Sequence, residues 1–295
     1  MKVLMLGWEL PPHNSGGLGR ACYDLCKSLS SNNIDIEFIL PYEAEHDIQF
    51  MKITSASTLD IKDFDKNFNV YNSSGFLNNN ITSHSFFDQY KMYSSAIEKI
   101  IDGNEYHIVH AHDWLTFDAA VRLKRKYNMP IILHVHSIES DRAGGNIGNP
   151  IVREIEQISL NLADKVIAVS ELTKQSIIRD YGVPKDKIDV VHNSLNIEDI
   201  VPLSGLNSYR YIEMMKNNGY KIVLNFGRLT IQKGLPNLLE AMSKVIKLNN
   251  KVLLLIIGSG EQYFDLIKLS ADLGIAENVI FTNFQRGKRL RDGIA

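Results

Sequence analysis

Three glycines lie within four positions of a loop near the N-terminus, which reads Trp8-Glu9-Leu10-Pro11-Pro12-His13-Asn14-Ser15-Gly16-Gly17-Leu18-Gly19. A short apolar run, Lys2–Gly7, precedes the loop and an amphipathic stretch, Leu18–Ser31, follows it, so we predict that it joins a strand to a helix. Ligands bind at such corners of open α/β sheets, because glycine lets the backbone approach a phosphate and helix N–H groups point at it. No Gly-Lys-Ser/Thr follows, which rules out a Walker A loop and leaves a tight turn as the alternative. The candidate phosphate-binding residues are Gly16, Gly17, Leu18 and Gly19.

Four histidines stand at the ends of two consecutive predicted strands. His110 and His112 point in the same direction if they share a strand, because side chains alternate along it. We predict that His112 is a polar contact to a ligand and that Asp113 caps the next helix. A metal site would recruit His134 and His136 from the following strand. Such histidine pairs are more often core or hydrogen-bonded residues, so no metal is predicted.

A basic corner follows a later strand, in the segment Phe226-Gly227-Arg228-Leu229-Thr230-Ile231-Gln232-Lys233-Gly234. Arg228 and Lys233 can both aim at one anionic group from such a corner. The guanidinium supplies a planar fork and the ammonium a compact charge, a combination suited to a diphosphate. A solvated basic loop is the alternative interpretation. Gly258-Ser259-Gly260 follows the next strand in the same way, which makes Gly258 a further candidate contact.

The composition is that of an ordinary globular protein. The chain has 295 residues, a hydrophobic content of 44% and a net charge of −2, which gives no electrostatic case for nucleic acid or an anionic membrane. The two cysteines, Cys22 and Cys26, are too few for a disulfide framework or a zinc cage of cysteines. No segment approaches the ~18 apolar residues of a membrane span, and no signal peptide is recognisable, so we expect a cytoplasmic protein without an integral membrane segment. The missing Gly-x-Ser-x-Gly and dinucleotide fingerprints argue against an α/β-hydrolase and against NAD.

Short apolar runs alternate with amphipathic stretches along most of the chain, which is typical of parallel strands joined by helices. We therefore predict an α/β fold with two facing Rossmann-like domains, residues 1–200 and residues 201–295, joined by a polar linker at Leu195–Asn207. Two segments, Tyr42–Phe86 and Ser137–Asn149, are predicted to be irregular. The second series ends after three strands, which leaves an open sheet edge. The predicted strands are Lys2–Gly7, Ile34–Leu40, His107–Ala111, Ile131–His136, Lys165–Val169, Ile188–Val191, Lys221–Phe226, Val252–Ile257 and Asn278–Phe281.

Taken together and in this order, these sites resemble the retaining GT-B glycosyltransferases of family 4, and most closely the glycogen and starch synthase-like members. The resemblance extends from residue 1 to about residue 284. The residues that carry it are Glu9 with Pro11-Pro12, Gly16-Gly17-Leu18-Gly19, His110-Ala111-His112-Asp113-Trp114, His136-Ser137, Val169-Ser170-Glu171, Asn193, Gly227-Arg228 with Lys233-Gly234, and Gly258-Ser259-Gly260.

The resemblance implies a role for each site. The glycine loop and Gly258 would lie against the donor, and His112 would contact the transferred sugar near the reaction centre. Arg228 and Lys233 would bind the nucleotide diphosphate and stabilise its charge as it leaves, without a metal or other cofactor. The reaction would retain the anomeric configuration. The residues expected on the acceptor or sugar side are Glu9, Asp113, His136 and Asn193.

Three departures from the family pattern refine this expectation. Asn14 replaces the lysine of ADP-glucose-dependent starch synthases, which favours UDP-glucose over ADP-glucose. Ser194-Leu195-Asn196 replaces the usual Gly-Val-Asp. The Glu-x7-Glu segment, the last strands and the final helix of the family are expected beyond residue 295, so we expect the second domain to be incomplete and the chain alone to be weakly active or inactive.

The sequence thus predicts a transferase that moves a hexosyl group, with glucosyl as the first choice, from a nucleotide sugar to a saccharide acceptor such as an α-glucan. One alternative is a non-catalytic module that binds saccharide or nucleotide and is completed by a partner chain, as an open sheet edge would allow. A second alternative is a metal-dependent hydrolase built on the four histidines.

Overall fold

Parallel strands and helices alternate along the chain in two units. The structure is a computed structural model that describes residues 1–14, 16–59, 83–101, 103–194, 207–285 and 287–294. The first unit is Met1–Ser194 and the second is Leu195–Ala295. None of the helices that the structure describes is long and apolar enough to cross a bilayer. The predicted linker, Leu195–Asn207, lies almost wholly outside the described residues, as does the predicted boundary at residue 200.

The first unit is built on a parallel sheet of seven strands in the order β3-β2-β1-β4-β5-β6-β7. Its strands are β1 (Lys2–Leu6), β2 (Asp35–Tyr42), β3 (Lys52–Leu59), β4 (Ile108–His112), β5 (Ile131–Val135), β6 (Lys165–Ala168) and β7 (Ile188–Val190). Its helices are α1 (Gly17–Ser31), α2 (Ser83–Ile100), α3 (Trp114–Tyr127), α4 (Glu139–Arg142), α5 (Pro150–Leu162) and α6 (Glu171–Tyr181).

Strand β1 lies at the centre of this sheet, between β2 and β4. Its side chains Leu4, Met5 and Leu6 have no exposed surface, as expected of a parallel strand that is covered on both faces. The strand order reverses direction at β1, because β2 and β3 lie on one side of it and β4 to β7 on the other. Ligands of open α/β sheets bind beyond the carboxyl ends of the strands at such a reversal. The loops that follow β1 and β4 are therefore the natural place for a site.

Two segments of the first unit differ from the sequence prediction. The irregular segment predicted at Tyr42–Phe86 is wrong in part, since Lys52–Leu59 forms β3 and pairs in parallel with β2. The loop predicted at Ser137–Asn149 contains the single-turn helix α4. The other predicted strands of both units are present with shifts of a residue or two at their ends.

The second unit has a parallel sheet of three described strands in the order β10-β9-β8. Its strands are β8 (Lys221–Phe226), β9 (Val252–Ile257) and β10 (Val279–Phe281), and its helices are α7 (Arg210–Asn217), α8 (Leu235–Leu248), α9 (Tyr263–Asp272) and α10 (Gly287–Ile294). Strand β9 is buried along its whole length. Because side chains alternate on a strand, Leu254 and Ile256 pack in one cluster with Leu239 of α8. Leu255 packs on the other face with Ile212 of α7.

Candidate functional site

The glycine loop closes against the buried carboxylate of Glu9. Its Oε1 accepts a hydrogen bond of 3.1 Å from the N–H of Gly19, in the first turn of α1. A Cβ at Gly19 would lie 2.8 Å from the Cβ of Asn14 and 3.0 Å from the carbonyl oxygen of Glu9, so only glycine fits there. Gly16 precedes α1 without a side chain to cap it, and a Cβ at Gly17 would meet nothing within 4 Å. The first turn of α1 thus combines a close backbone approach at Gly19 with free space beside Gly17.

Two of the residues predicted in this loop face the core. Leu18 is 2% exposed and packs in the main hydrophobic cluster, so only its backbone lies at the start of α1. Glu9 is 1% exposed. Glu9 therefore holds the loop in place, and its sugar-side role stays a prediction.

The four histidines form one layer of imidazole rings at the ends of β4 and β5. His110 stacks on His112 with ring centroids 4.7 Å apart, and His134 stacks on His136 at 4.5 Å. Hydrogen bonds link the two strands. Nε2 of His110 lies 3.2 Å from Nδ1 of His134, and Nδ1 of His112 lies 3.1 Å from Nε2 of His136. The predicted common direction of His110 and His112 is thereby confirmed.

Burial distinguishes the members of this layer. His112 has no exposed surface, whereas His136 is half-buried. Burial lowers the pKa of His112 well below its usual range, and it lowers the pKa of His136 to about 3. Burial also lowers the pKa of His110 and His134. The four rings are therefore neutral at pH 7, and His136 is the least buried residue of the layer.

Two groups of three side chains, in this layer and beside it, each have ligand atoms close enough together to bind a metal ion. Ligand atoms of Cys22, His112 and His136 lie within 4.8 Å of one another, as do those of His110, His112 and His134. Cysteine sulfur and imidazole nitrogen suit a soft ion such as Zn²⁺. In both histidine pairs, however, the facing nitrogens stand at hydrogen-bond distance. We therefore assign these contacts as hydrogen bonds.

Asp113 connects the end of β4 to the loop that follows β5. The predicted side-chain cap on α3 is wrong, because no such hydrogen bond forms. Instead Oδ1 accepts hydrogen bonds from the N–H groups of His136, at 2.7 Å, and Ser137, at 3.4 Å. Burial raises the pKa of Asp113 to about 6, against the lowering effects of Arg142 and of these two N–H groups. Oδ1 of Asp113 therefore fixes the backbone of His136, and the sugar-side role of Asp113 stays a prediction.

A buried ionic cluster, made of Arg142, Glu139 and Glu156, supports the same loop. Nε of Arg142 donates to Glu139 at 3.1 Å, and Nη2 donates to Glu156. Nη1 of Arg142 donates to the carbonyl oxygen of Ser137 at 2.7 Å. Burial opposes the charge of Arg142, but Glu156, Asp113 and Glu139 together hold its pKa above the usual value. The cluster pins the segment after His136 to helices α4 and α5.

Sequence reasoning missed this cluster because Glu139 and Arg142 fall in a segment predicted to be irregular. One signal in the sequence could have revealed the cluster. Buried positions Val152, Glu156 and Leu160 of α5 recur at intervals of four residues, the spacing of one helix face. A glutamate on an otherwise apolar stripe points to a buried ionic partner, because an unpaired buried carboxylate is costly.

The basic corner of the second unit, residues 226–234, is held by backbone contacts between the segments that follow β8 and β9. A Cβ at Gly258 would lie 1.7 Å from the carbonyl oxygen of Gly227, so the two corners touch through backbone alone. The N–H of Leu229 donates to the carbonyl oxygen of Ser259 at 2.9 Å. A short 3₁₀ turn, Ile231–Lys233, follows and leads into α8. The corner thus has a fixed backbone.

The two basic side chains of this corner differ in exposure. Arg228 is half-buried and Lys233 is exposed. Lys233 stands just before Gly234, whose φ of +60° begins α8. Asn193 is exposed and follows β7 in the first unit. Among the predicted residues, the structure brings together Glu9 with Gly19 and His112 with His136 and Asp113.

Comparison with known proteins yields two family matches. The family model of Glycosyltransferase Family 4 matches residues 15–199. The model of Glycosyl transferases group 1 matches residues 213–292.

Two relatives and one solved structure illustrate the similarity. An uncharacterized glycosyltransferase of Methanocaldococcus jannaschii is 29% identical over 99% of this chain and 71% of its own length. Glycogen synthase of Mycobacterium tuberculosis is 22% identical over 89% of this chain, which spans 62% of that relative. The structure of Anabaena HepE in complex with UDP-glucose superposes with a TM-score of 0.67 at 17% identity, covering 99% of this chain and 71% of that one. The predicted α/β fold of GT-B type is thereby confirmed.

Proposed function

Because the chain belongs to glycosyltransferase family 4, we propose that it transfers a hexosyl group, glucosyl in the first instance, from a nucleotide sugar to a saccharide acceptor such as an α-glucan, with retention of configuration. The family model that covers residues 15–199 supports the class of reaction. Similarity to glycogen synthase supports a saccharide acceptor.

The basic corner at Arg228 and Lys233 is the observation that carries this proposal. The contact between Gly227 and Gly258 fixes its backbone, so the two basic side chains project from a backbone that is held in place. Cations held in place before the reaction stabilise the charge that develops on the departing diphosphate. The start of α8 adds the positive end of a helix dipole to the same corner. The glycine corner of the first unit would contact the donor through the backbone N–H groups that Glu9 leaves unbound.

UDP-glucose is the donor that we propose. Asn14 stands where ADP-glucose-dependent starch synthases have a lysine, and its Nδ2 donates to the carbonyl oxygen of Gly16 at 2.9 Å. Asn14 thus supports the glycine loop from within and offers the donor no positive charge. HepE, which has the same fold, was solved with UDP-glucose.

A transfer assay tests this function. The protein is incubated with UDP-glucose or ADP-glucose labelled in the sugar, together with glycogen, and both label in the polymer and release of nucleotide are measured. We expect weak UDP release that depends on glycogen, with the label joined by an α-linkage that NMR identifies. Release of UDP at the same rate without any saccharide would mark a hydrolase instead. A β-linked product would contradict retention.

A further inference from the structure

Helix α5 has a second row of apolar residues besides the face that it buries in its own unit. This row, which we call the α5 stripe, consists of Ile151, Ile155, Ile158 and Leu162. The intervals between its members are four, three and four residues, so they occupy alternate d and a positions of a heptad. Residues at these positions form the seam along which two helices pack against each other. The α5 stripe therefore has the pattern of a helix-to-helix contact.

Three of the four members of the α5 stripe are exposed. Ile151 is 47% exposed, Ile158 is 46% exposed and Leu162 is 37% exposed. Ile155 is partly buried against the core of the first unit. A surface helix needs only one apolar face to pack on its own unit. A continuous row of exposed aliphatic side chains on a second face is typical of a surface that binds another protein.

The α5 stripe is symmetric about its own midpoint. Ile151 and Leu162 lie equally far from this midpoint, and so do Ile155 and Ile158. A two-fold axis at the midpoint would place two copies of α5 antiparallel, with Ile151 of one copy against Leu162 of the other. It would likewise place Ile155 against Ile158. A two-fold interface requires one surface that is complementary to itself, so the stripe fits a second copy of this chain.

The charges beside the α5 stripe favour the same antiparallel arrangement. Glu154 is exposed near the start of α5, and within the described residues its side chain makes no hydrogen bond or ion pair. Lys187 stands at the other end of α5, where its Nζ donates to the carbonyl oxygen of Asn161 at 2.6 Å. Asn161 follows Glu154 by seven residues, so both lie on the same side of the stripe. In an antiparallel pair, Glu154 of one copy would therefore lie beside Lys187 of the other, and opposite charges would meet.

We propose that two copies of this chain associate through the α5 stripe, packed antiparallel about a two-fold axis, in a dimer whose population depends on protein concentration. The proposal is independent of the proposed function, because no member of the stripe belongs to the candidate site. It can therefore be tested on the free protein, without any substrate.

Sedimentation velocity tests the association. Between about 5 and about 500 µM protein, we expect the fraction of dimer to rise with concentration, as mass action requires. Ile158→Glu should raise the dissociation constant at least about tenfold, because it places an unpaired charge in the contact. Leu172→Glu, at a residue of α6 that is 76% exposed, is the matched control and should associate as the unaltered protein does. A monomer at every concentration, or an equal effect of the two variants, would overturn the proposal.

Cysteine cross-linking tests the antiparallel arrangement, since the native Cys22 and Cys26 are both buried. A mixture of the variants Ile151→Cys and Leu162→Cys, treated with oxidised glutathione, should give a disulfide-linked dimer. Either variant alone should not, because the two equivalent Cα atoms would lie about 16 Å apart along the helix axis, beyond the reach of about 7 Å that a disulfide allows. Cross-linking in a single variant, or none in the mixture, would overturn the antiparallel arrangement.

Exchange of the flanking charges tests the contact between Glu154 and Lys187. Glu154→Lys and Lys187→Glu should each raise the dissociation constant about threefold, because each variant places like charges beside each other across the interface. The double variant restores opposite charges and should associate as the unaltered protein does. Weakening in the double variant that equals the sum of the two single effects would overturn this contact.

Discussion

Arg142 is surrounded by more negative charge than it can neutralise alone. Arg142 is 4% exposed and its guanidinium faces Glu139 and Glu156, each 1% exposed, with Asp113 also near enough to raise its pKa. Burial raises the pKa of Glu156 despite Arg142, and that of Asp113 to about 6. A buried ion pair adds little net stability, but removing one partner leaves an uncompensated charge. The arrangement is therefore sensitive to loss of the arginine.

Replacing Arg142 by methionine is predicted to destabilise the first unit. We expect Arg142→Met to lower the free energy of unfolding by about 3–5 kcal/mol, because two or more buried carboxylates lose their counter-charge. Both tryptophans, Trp8 and Trp114, are buried in the first unit, so their fluorescence during urea unfolding reports on it. Arg125→Met, at an exposed arginine of α3, should change the same quantity by less than about 0.5 kcal/mol. Equal stability of the two variants would disprove the role of the cluster.

The histidine layer predicts that the first unit loses stability in mild acid. The folded state lowers the pKa of four histidines below the unfolded value of about 6.5, so the unfolded state binds more protons as the pH falls. Each histidine then lowers the free energy of unfolding by up to ~1.4 kcal/mol per pH unit below about 6.5. Asp113 and Glu156 act in the opposite direction, because folding raises the pKa of each carboxyl and their contribution is lost as the pH rises, for Asp113 towards about 6.

Urea unfolding at pH 7.5 and 5.5, followed by tryptophan fluorescence, checks this prediction. We expect lower stability at pH 5.5, because four histidines outweigh the two carboxylates Asp113 and Glu156. The double variant His110→Gln, His134→Gln should lose about half as much on acidification. Stability that stays constant or rises at pH 5.5 would show that the rings are not held neutral.

The sequence predicted only part of this residue-scale picture. The residue types and order identified the histidine layer, since alternation along a strand places His110 beside His112. They did not identify the contact between His112 and Met5, because Met5 belongs to a third strand far away in the chain. Asp113 was predicted as a helix cap, but the N–H groups after β5 compete for its carboxylate and hold it.

At the scale of elements, the turn between β1 and α1 depends on one glycine more than on its neighbours. A Cβ at Gly19 would press on Asn14 and on the backbone of Glu9, whereas a Cβ at Gly17 would meet open space. We expect Gly19→Ala to lower the free energy of unfolding by about 1–3 kcal/mol through overpacking. Gly17→Ala should be neutral or stabilising by up to ~1 kcal/mol, since it restricts only the unfolded chain. Urea unfolding distinguishes the pair, and an equal effect of both variants would contradict the packing at Gly19.

The strand that sequence reasoning missed shows where elements depend on partners. Strand β3 contains the short polar run Thr54-Ser55 and Ser57-Thr58, which gives no apolar signal. It forms because it pairs with β2 and because its side chains contact Glu37 of β2. No pattern within β3 itself indicates these partners. Lys52 approaches Glu37 at 2.9 Å and Thr54 donates to it at 2.8 Å. Strands with continuous apolar runs, such as β1 and β9, were predictable because burial on both faces requires that composition.

For the whole molecule, each unit presents a glycine-containing corner at the carboxyl end of its sheet, one before α1 and one before α8. The proposed function connects these corners to one chemistry, the handling of a nucleotide sugar. The sequence predicted both corners because glycine and basic residues at strand ends have few structural reasons to occur together. It could not predict the backbone contact between Gly227 and Gly258, which brings together residues far apart in the chain.

Binding of UDP-glucose to the free protein, measured by titration calorimetry, tests the central claim most directly. We predict that Arg228→Met and Lys233→Met each weaken binding by about tenfold or more, because a charge-assisted hydrogen bond to the diphosphate is lost. Lys247→Met, in the last turn of α8, is the matched control and should bind as the unaltered protein does. Binding that is absent in the unaltered protein, or equal in all three variants, would contradict a donor site at the Arg228–Lys233 corner.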